Sequence, residues 1–236
     1  LVFLSVGSFV ISPAQVVSII TIILLTYINT RGVQGGKLVQ TSFTVTKIVS
    51  LFGLIVFGFI MAKGDVWTAN WTDAWSLQKL NVDGTTTSYV FIAALGAIAA
   101  AMVGSIFSSD AWNSVTFIAG EIKNPQRNIG LSLFLGTLIV TIIYVLANLM
   151  YTAVLPVQEL AFSDKDRVGV TAANVIFGNI GTVIIALMIM VSTFGCNNGL
   201  ILAGARVYYT MAKDGVFFRQ AGELNSAGCS SLLVAS

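Results

Sequence analysis

Of 236 residues, 56% are hydrophobic and 9% charged, against about a quarter charged in a soluble domain, which excludes a soluble globular fold and leaves an all-α integral membrane chain. The net charge of +2 is too small and too scattered for a nucleic-acid partner. No His is present, so a His-ligated metal centre or a Ser-His-Asp triad cannot be built from this chain alone, and no cofactor is expected.

The sequence starts mid-hydrophobic at Leu1, without Met or a leader pattern, so a piece of a longer protein is expected. With about 20 apolar residues needed per crossing, five helices are expected. The first covers residues 13–29 and closes on the polar turn Arg31-Gly-Val-Gln-Gly-Gly36. The second, 39–61, begins polar (Gln40, Thr41, Ser42, Thr44, Thr46, Lys47) and turns wholly apolar. A solvent-facing loop, Lys63 to Ser88, follows, and its Trp67, Trp71 and Trp75 suit an interfacial aromatic belt. The third hydrophobic stretch, 89–120, is 32 residues long, about 48 Å as one helix against a core of about 30 Å. A break is therefore expected near 108–110, at Ser108-Ser109-Asp110, before Ala111-Trp112-Asn113 resumes the run. Pro125 and Pro156 bracket a fourth span, 129–155, since the residue before a proline disfavours the α-helical conformation. A short amphipathic stretch, Val168 to Asn179, precedes a fifth span, 183–209, expected to be interrupted at Gly195 to Gly199.

Charge orients the spans. One face collects Arg31, Lys37, Lys47, Lys123, Arg127, Arg206, Lys213 and Arg219 against Glu121, Asp214 and Glu223. The other holds Lys63, Lys79, Lys165 and Arg167 with Asp65, Asp73, Asp83, Glu159, Asp164 and Asp166. The first is expected to be cytoplasmic, with the N-terminus outside and the C-terminus inside a plasma membrane, or the bacterial inner membrane in a prokaryote.

Ionisable groups at membrane depth are costly and invite a functional explanation. Asp110 sits at the expected break, where freed backbone groups need a protein-lined or watery cavity; alternatively, Tyr89 to Phe107 spans the bilayer and leaves Asp110 at the interface. Lys47 is either a snorkelling side chain or a fixed positive charge inside the bundle. Phe194-Gly-Cys-Asn-Asn-Gly199 serves either close helix packing through small residues, with amide hydrogen bonds across the interface, or ligand contact. Asn70-Trp71-Thr72 matches a glycosylation sequon, a pattern common by chance. Cys196, in an apolar run, and Cys229, in the polar tail, are not expected to pair.

Phe107-Ser-Ser-Asp-Ala-Trp-Asn113, with Phe117-Ile-Ala-Gly-Glu-Ile-Lys-Asn-Pro-Gln-Arg-Asn128, resembles the amino acid–polyamine–organocation superfamily, within it the L-type amino acid transporters and their bacterial relatives. Tyr144-Val-Leu-Ala-Asn-Leu-Met-Tyr151, Phe194 to Gly199 and Ala205-Arg-Val-Tyr-Tyr-Thr-Met-Ala-Lys-Asp-Gly215 fit the same family in the same order. The resemblance makes residues 1–236 a partial amino acid permease domain, mapping to the fourth to eighth of twelve helices in a LeuT-like inverted-repeat fold. It implies alternating-access amino acid transport, sodium-independent and by exchange. Phe107 would gate the substrate, the backbone of Ser108, Ser109 and Asp110 would receive its amino group, and Trp112 and Asn113 would shape the break. Cys196 and Asn197 would face the substrate, and Lys47 would stand in for a sodium site. The first helix of the family's site is missing from this stretch, so these residues alone are expected neither to bind nor to transport.

This sequence departs from the family pattern at Ser109, where an aromatic is common, and at Ala111, where Gly is common, which implies a roomier pocket and a stiffer hinge. Gly130 stands where Pro is frequent, and the tail Ala227-Gly-Cys-Ser loses the usual Val-Pro. Leu1 to Pro13 lacks the Cys through which animal members hold a glycoprotein, so no disulfide-linked glycoprotein partner is expected. The expected partners are an amino acid substrate and the lipid bilayer. A channel-like or structural membrane subunit is the alternative, but a channel needs polar rings along a pore, whereas polarity here gathers at one break and one amide cluster. An aspartyl intramembrane protease needs two carboxylates sharing one site, and Asp110 is the single acid at membrane depth, so no enzyme is expected.

Overall fold

The computed structural model describes residues 4–6, 9–30, 33–72, 74–76, 78–108, 110–122, 124–163 and 167–223. Five of its helical segments are long and apolar enough to cross a membrane, and the chain is an all-α integral membrane protein, as its composition implies. It divides into two compact units, one of Leu1–Lys47 with Met190–Ser236, the other of Ile48–Ile189.

In the first unit, a short hairpin pairs β1 (Leu4–Val6) with β2 (Phe9–Ile11), Ser5 opposite Val10. Helix α1 (Pro13–Thr30) starts on a capping box: the Ser12 amide donates to Gln15 Oε1 at 2.8 Å and the Gln15 amide to Ser12 Oγ at 3.4 Å. Pro13 occupies the first helical position, where its missing N–H costs nothing. Helix α2 (Val33–Met61) starts earlier than its apolar run, inside the stretch expected to be a turn, because residues 33–40 contain no helix breaker stronger than glycine. Its first half belongs to this unit and its second half to the other.

In the second unit, the segment expected to be a plain loop carries α3 (Gly64–Trp71) and a hairpin of β3 (Gln78–Leu80) and β4 (Thr86–Ser88). In the turn, the Thr85 hydroxyl and amide both donate to Asp83 Oδ1, at 2.7 and 3.1 Å, and hold that carboxyl below the usual carboxylate range. Trp67 and Trp71 lie on one face of α3, ring centroids 5.3 Å apart, and Trp75 is 92% exposed, as an interfacial belt requires.

The third span breaks where its length demands. Helix α4 (Phe91–Ser108) ends at Ser108, Ser109 lies outside the described residues, and a 3₁₀ segment runs from Asp110 through Glu121. The 3₁₀ form rises about 2 Å per residue, so this short polar–aromatic segment reaches further than an α-helix of equal length. Asn124 then takes a left-handed conformation (φ 50°), which its short side chain tolerates, and Pro125 opens α5 (Pro125–Val154).

Helix α6 (Val157–Ala161) and α7 (Val168–Phe177) cap the end of α5. The buried core of the unit joins Leu54 of α2, Met150, Val154 and Leu155 from α5 and its end, Ala172, Ala173 and Ile176 of α7, and Ile185. Two glycines make this packing possible. A Cβ on Gly58 would strike Met150, and one on Gly181 would strike the Ala173 carbonyl.

Helix α8 (Gly181–Lys213) runs unbroken through Gly195 to Gly199, correcting the expected interruption. Glycine weakens a helix by only about 1 kcal/mol per residue, too little to break one packed against a neighbour. The helix ends in a Schellman motif: Gly215 has φ 78°, the Val216 amide donates to Met211 O, and the Gly215 amide donates to Ala212 O.

Candidate functional site

The first unit builds a polar seam between α2 and α8. Residues Gly36, Gln40, Phe43 and Lys47 recur at helical spacing on α2, and Gly195, Asn198, Gly199 and Leu202 do so on α8. The facing order is reversed along the two chains: Gly36 meets Leu202, Gln40 meets Gly199, and Phe43 meets Gly195. The helices are therefore antiparallel. A Cβ on Gly195 would lie 3.1 Å from Phe43 Cβ and 3.3 Å from Lys47 Cε, so this glycine admits the larger side chains of α2. Phe43 and Phe194 stack with centroids 5.9 Å apart.

Lys47 sits at the midpoint of α2. Its ammonium donates to Cys196 Sγ at 3.6 Å, a long, sulfur-accepted bond, and lies against Gly195. Two of the residues singled out from sequence, 149 positions apart, are thus brought together in mid-helix. The arrangement provides one fixed positive charge beside a polarizable sulfur, with the half-buried Asn197 next in sequence.

The helix-packing alternative for Phe194 to Gly199 holds at Asn198, the residue that the seam buries most deeply and one not among the candidate substrate residues. Asn198, adjacent to Asn197, is 0% exposed, as is Asn29 of α1. Asn29 Nδ2 donates to Asn198 Oδ1 at 2.9 Å and to Leu25 O at 2.9 Å, while Asn198 Nδ2 donates to Gln40 Oε1 at 3.0 Å and to Gly36 O at 3.3 Å. The available signal was the helical spacing of Asn198 from Gly195, which puts it rather than Asn197 on the packed face.

The remaining candidates belong to the second unit. Phe107, in the last turn of α4, is 77% exposed. Ser108 closes α4, and Ser109 lies outside the described residues. Asp110 opens the 3₁₀ segment and is exposed, and the Asn113 carbonyl accepts the Thr116 hydroxyl at 2.7 Å. Trp112 lines a cleft of about 1370 Å³ along α5, together with Ser105 of α4, Thr141, Tyr144 and Asn148 of α5, and Trp71 of α3. The polar groups of α5 there bond within their own helix, Asn148 Nδ2 to Tyr144 O at 2.8 Å and Thr152 Oγ1 to Leu149 O at 2.8 Å. No group of three or more His, Cys, Asp or Glu suited to a metal exists among the described residues.

Asn70, the asparagine of the sequon, is committed elsewhere. Its Nδ2 donates to Thr152 O and Leu155 O, both at 2.7 Å, and its Oδ1 accepts the Val157 amide at 3.0 Å. One side chain thus satisfies the carbonyl end of α5 and the amide start of α6.

Residues 2–231 match the model of the amino acid permease family. The chain is 31% identical over 200 residues to the serine/threonine exchanger SteT of Bacillus subtilis, covering 85% of this chain and 41% of the relative. It is 29% identical over 211 residues to the b(0,+)-type amino acid transporter 1 of Mus musculus, covering 86% and 39%. To the large neutral amino acids transporter small subunit 2 of Mus musculus it is 26% identical over 206 residues, covering 86% and 36%. The chain thus spans about two fifths of the length of these relatives. The family match over nearly its whole length, the apolar spans and the broken third span agree, and the chain belongs to the amino acid permease family.

Proposed function

We propose that this chain forms the middle of an amino acid carrier that works by alternating access and exchanges substrates without sodium. The observation that carries the reading is Lys47, a cation at the midpoint of an apolar helix with its ammonium against Gly195 and Cys196 of α8. A charge at that depth is retained only against a cost, and here it supplies the positive charge that a bound cation supplies elsewhere. In this reading, the backbone carbonyls of Ser108, Ser109 and Asp110, at the break that follows α4, would receive the substrate amino group. Trp112 and Asn113 shape that break, and Cys196 and Asn197 face the substrate from α8. The names of the relatives, an exchanger among them, support amino acid exchange as the activity.

The deciding experiment is efflux of preloaded radiolabelled amino acids from proteoliposomes holding the complete gene product, against a panel of external amino acids with and without sodium. Trans-stimulated efflux unaffected by sodium is expected; efflux that needs sodium or ignores external amino acids would overturn the reading. Small residues at Ser109 and Ala111 enlarge the site, so leucine, phenylalanine and tyrosine should compete at least as well as alanine and serine. The reverse ranking would remove the size argument.

A further inference from the structure

We infer that Asn198 is a positioning residue: with Gln40 and Asn29 it forms an amide latch that sets the rotation of α8 so that Cys196 meets Lys47. The inference rests on the reading of Lys47 and Cys196 given above. It starts from hydrogen-bond capacity. A primary amide has two N–H donors and a carbonyl acceptor, and the fully buried Asn198 uses every one: Oδ1 takes Asn29 Nδ2, and Nδ2 gives to Gln40 Oε1 and Gly36 O. One side chain of α8 therefore ties α1 and α2 at once. Asn29 in turn spends its second donor on Leu25 O, which fixes its own rotamer.

Membrane solvent makes such a latch decisive. Lipid tails are as apolar as the helix faces, so burial alone does not select one rotation of α8 over another, and packing and interhelical hydrogen bonds do. A slip of one residue turns the face by about 100° and strands the amide of Asn198 in hydrocarbon with its partners unbonded. The glycines sharpen the choice. Gly36 leaves room for Asn29 Oδ1 where a Cβ would strike it, and Gly195 leaves room for Phe43 and Lys47 in the observed rotation.

The latch and the Lys47–Cys196 contact are two rungs of one seam. Gln40 and Lys47 are seven residues apart on α2, two turns along the same face, while Asn198 and Cys196, two residues apart on α8, lie about 200° apart around its axis. Asn198 is buried, Cys196 is on the exposed flank, and Lys47 reaches it past Gly195, so a fixed rotation of α8 is what holds both contacts. Turning α8 to release Asn198 carries Cys196 off Lys47. Asn198 thus acts on the substrate site through Lys47, without contact to the substrate.

The test uses the full-length protein in proteoliposomes with N198L, N198Q and the amide swap Q40N/N198Q, which exchanges the short and long amides across the same rung. Register is read separately by oxidising a Phe43→Cys/Gly195→Cys pair in a background with Cys196 and Cys229 replaced by Ser. The two Cβ positions, 3.1 Å apart, need to separate by only a few tenths of an ångström to reach the disulfide range. N198L is expected to raise the exchange KM by about tenfold and to cut the cross-link yield, and the swap is expected to restore both to within about twofold. Because Asn198 acts through Lys47, N198L should change KM little further once Lys47→Ala is present. Equal effects in both backgrounds, or cross-linking that survives N198L, would overturn the latch. If N198L does not reach the membrane, N198Q and the swap give the same two readouts, and failure of the swap to recover register overturns it equally. Wild-type exchange by Lys47→Ala alone would instead sink the functional reading while the cross-link still judges the latch.

Discussion

Lys47 and Asn70 show how one side chain's partners change what its sequence pattern suggests. An aliphatic stem lets a lysine near a helix end reach water, but Lys47 lies at the midpoint of α2 and its ammonium is turned onto α8. Replacing it by Ala in the complete protein should lower exchange by about tenfold to a hundredfold with membrane insertion unchanged, measured as initial rates normalised to protein in the membrane. Asn70 reads as a sugar acceptor and behaves as a clamp. A glycan on Nδ2 is incompatible with its two bonds to the end of α5, so mass spectrometry of the folded protein from eukaryotic membranes should find Asn70 unmodified. Asn70→Leu leaves two carbonyls and one amide without this partner and should cost about 1–3 kcal/mol, seen as a lower melting temperature in detergent.

At the scale of elements, close approach decides which helices pair. Gly58 lets Met150 lie against the backbone of α2 beside Ile176 of α7. Gly58→Leu should therefore destabilise by about 1–3 kcal/mol through overpacking, whereas Gly58→Ala should cost less because methionine readily repacks. Thermal unfolding of the two variants checks the ranking. The same logic explains why the fifth span is whole and the third is not. Gly195 and Gly199 are filled from outside by α2 side chains, so the helix that looks fragile in sequence is braced. Ser108 to Asp110 interrupts a stretch already too long for the bilayer, and there the helix does end.

For the whole molecule, the charge asymmetry proposes an outside N-terminus and a cytoplasmic C-terminus. Single cysteines at Asp83 and Arg219 in a cysteine-free background test it with membrane-impermeant maleimide on intact cells. Labelling at 83 and not at 219 is expected, and the reverse pattern would invert the topology. The five apolar stretches long enough to cross a bilayer and the end of α4 at Ser108 were legible, because bilayer thickness converts directly into a count of apolar residues.

What the sequence by itself determined, then, is the membrane class, the five spans, the break near 108–110 and the family, through ordered motifs around Phe107 and Gly195. Each follows from local composition or from residue order. Only the tertiary structure decided that α8 continues through its glycines, that Asn198 rather than Asn197 is the buried amide, and that Lys47 reaches Cys196. It also decided that Asn70 is spent on α5 and α6. These outcomes depend on which residues of distant helices face one another, and in an all-apolar setting the hydrophobic pattern carries no record of that choice.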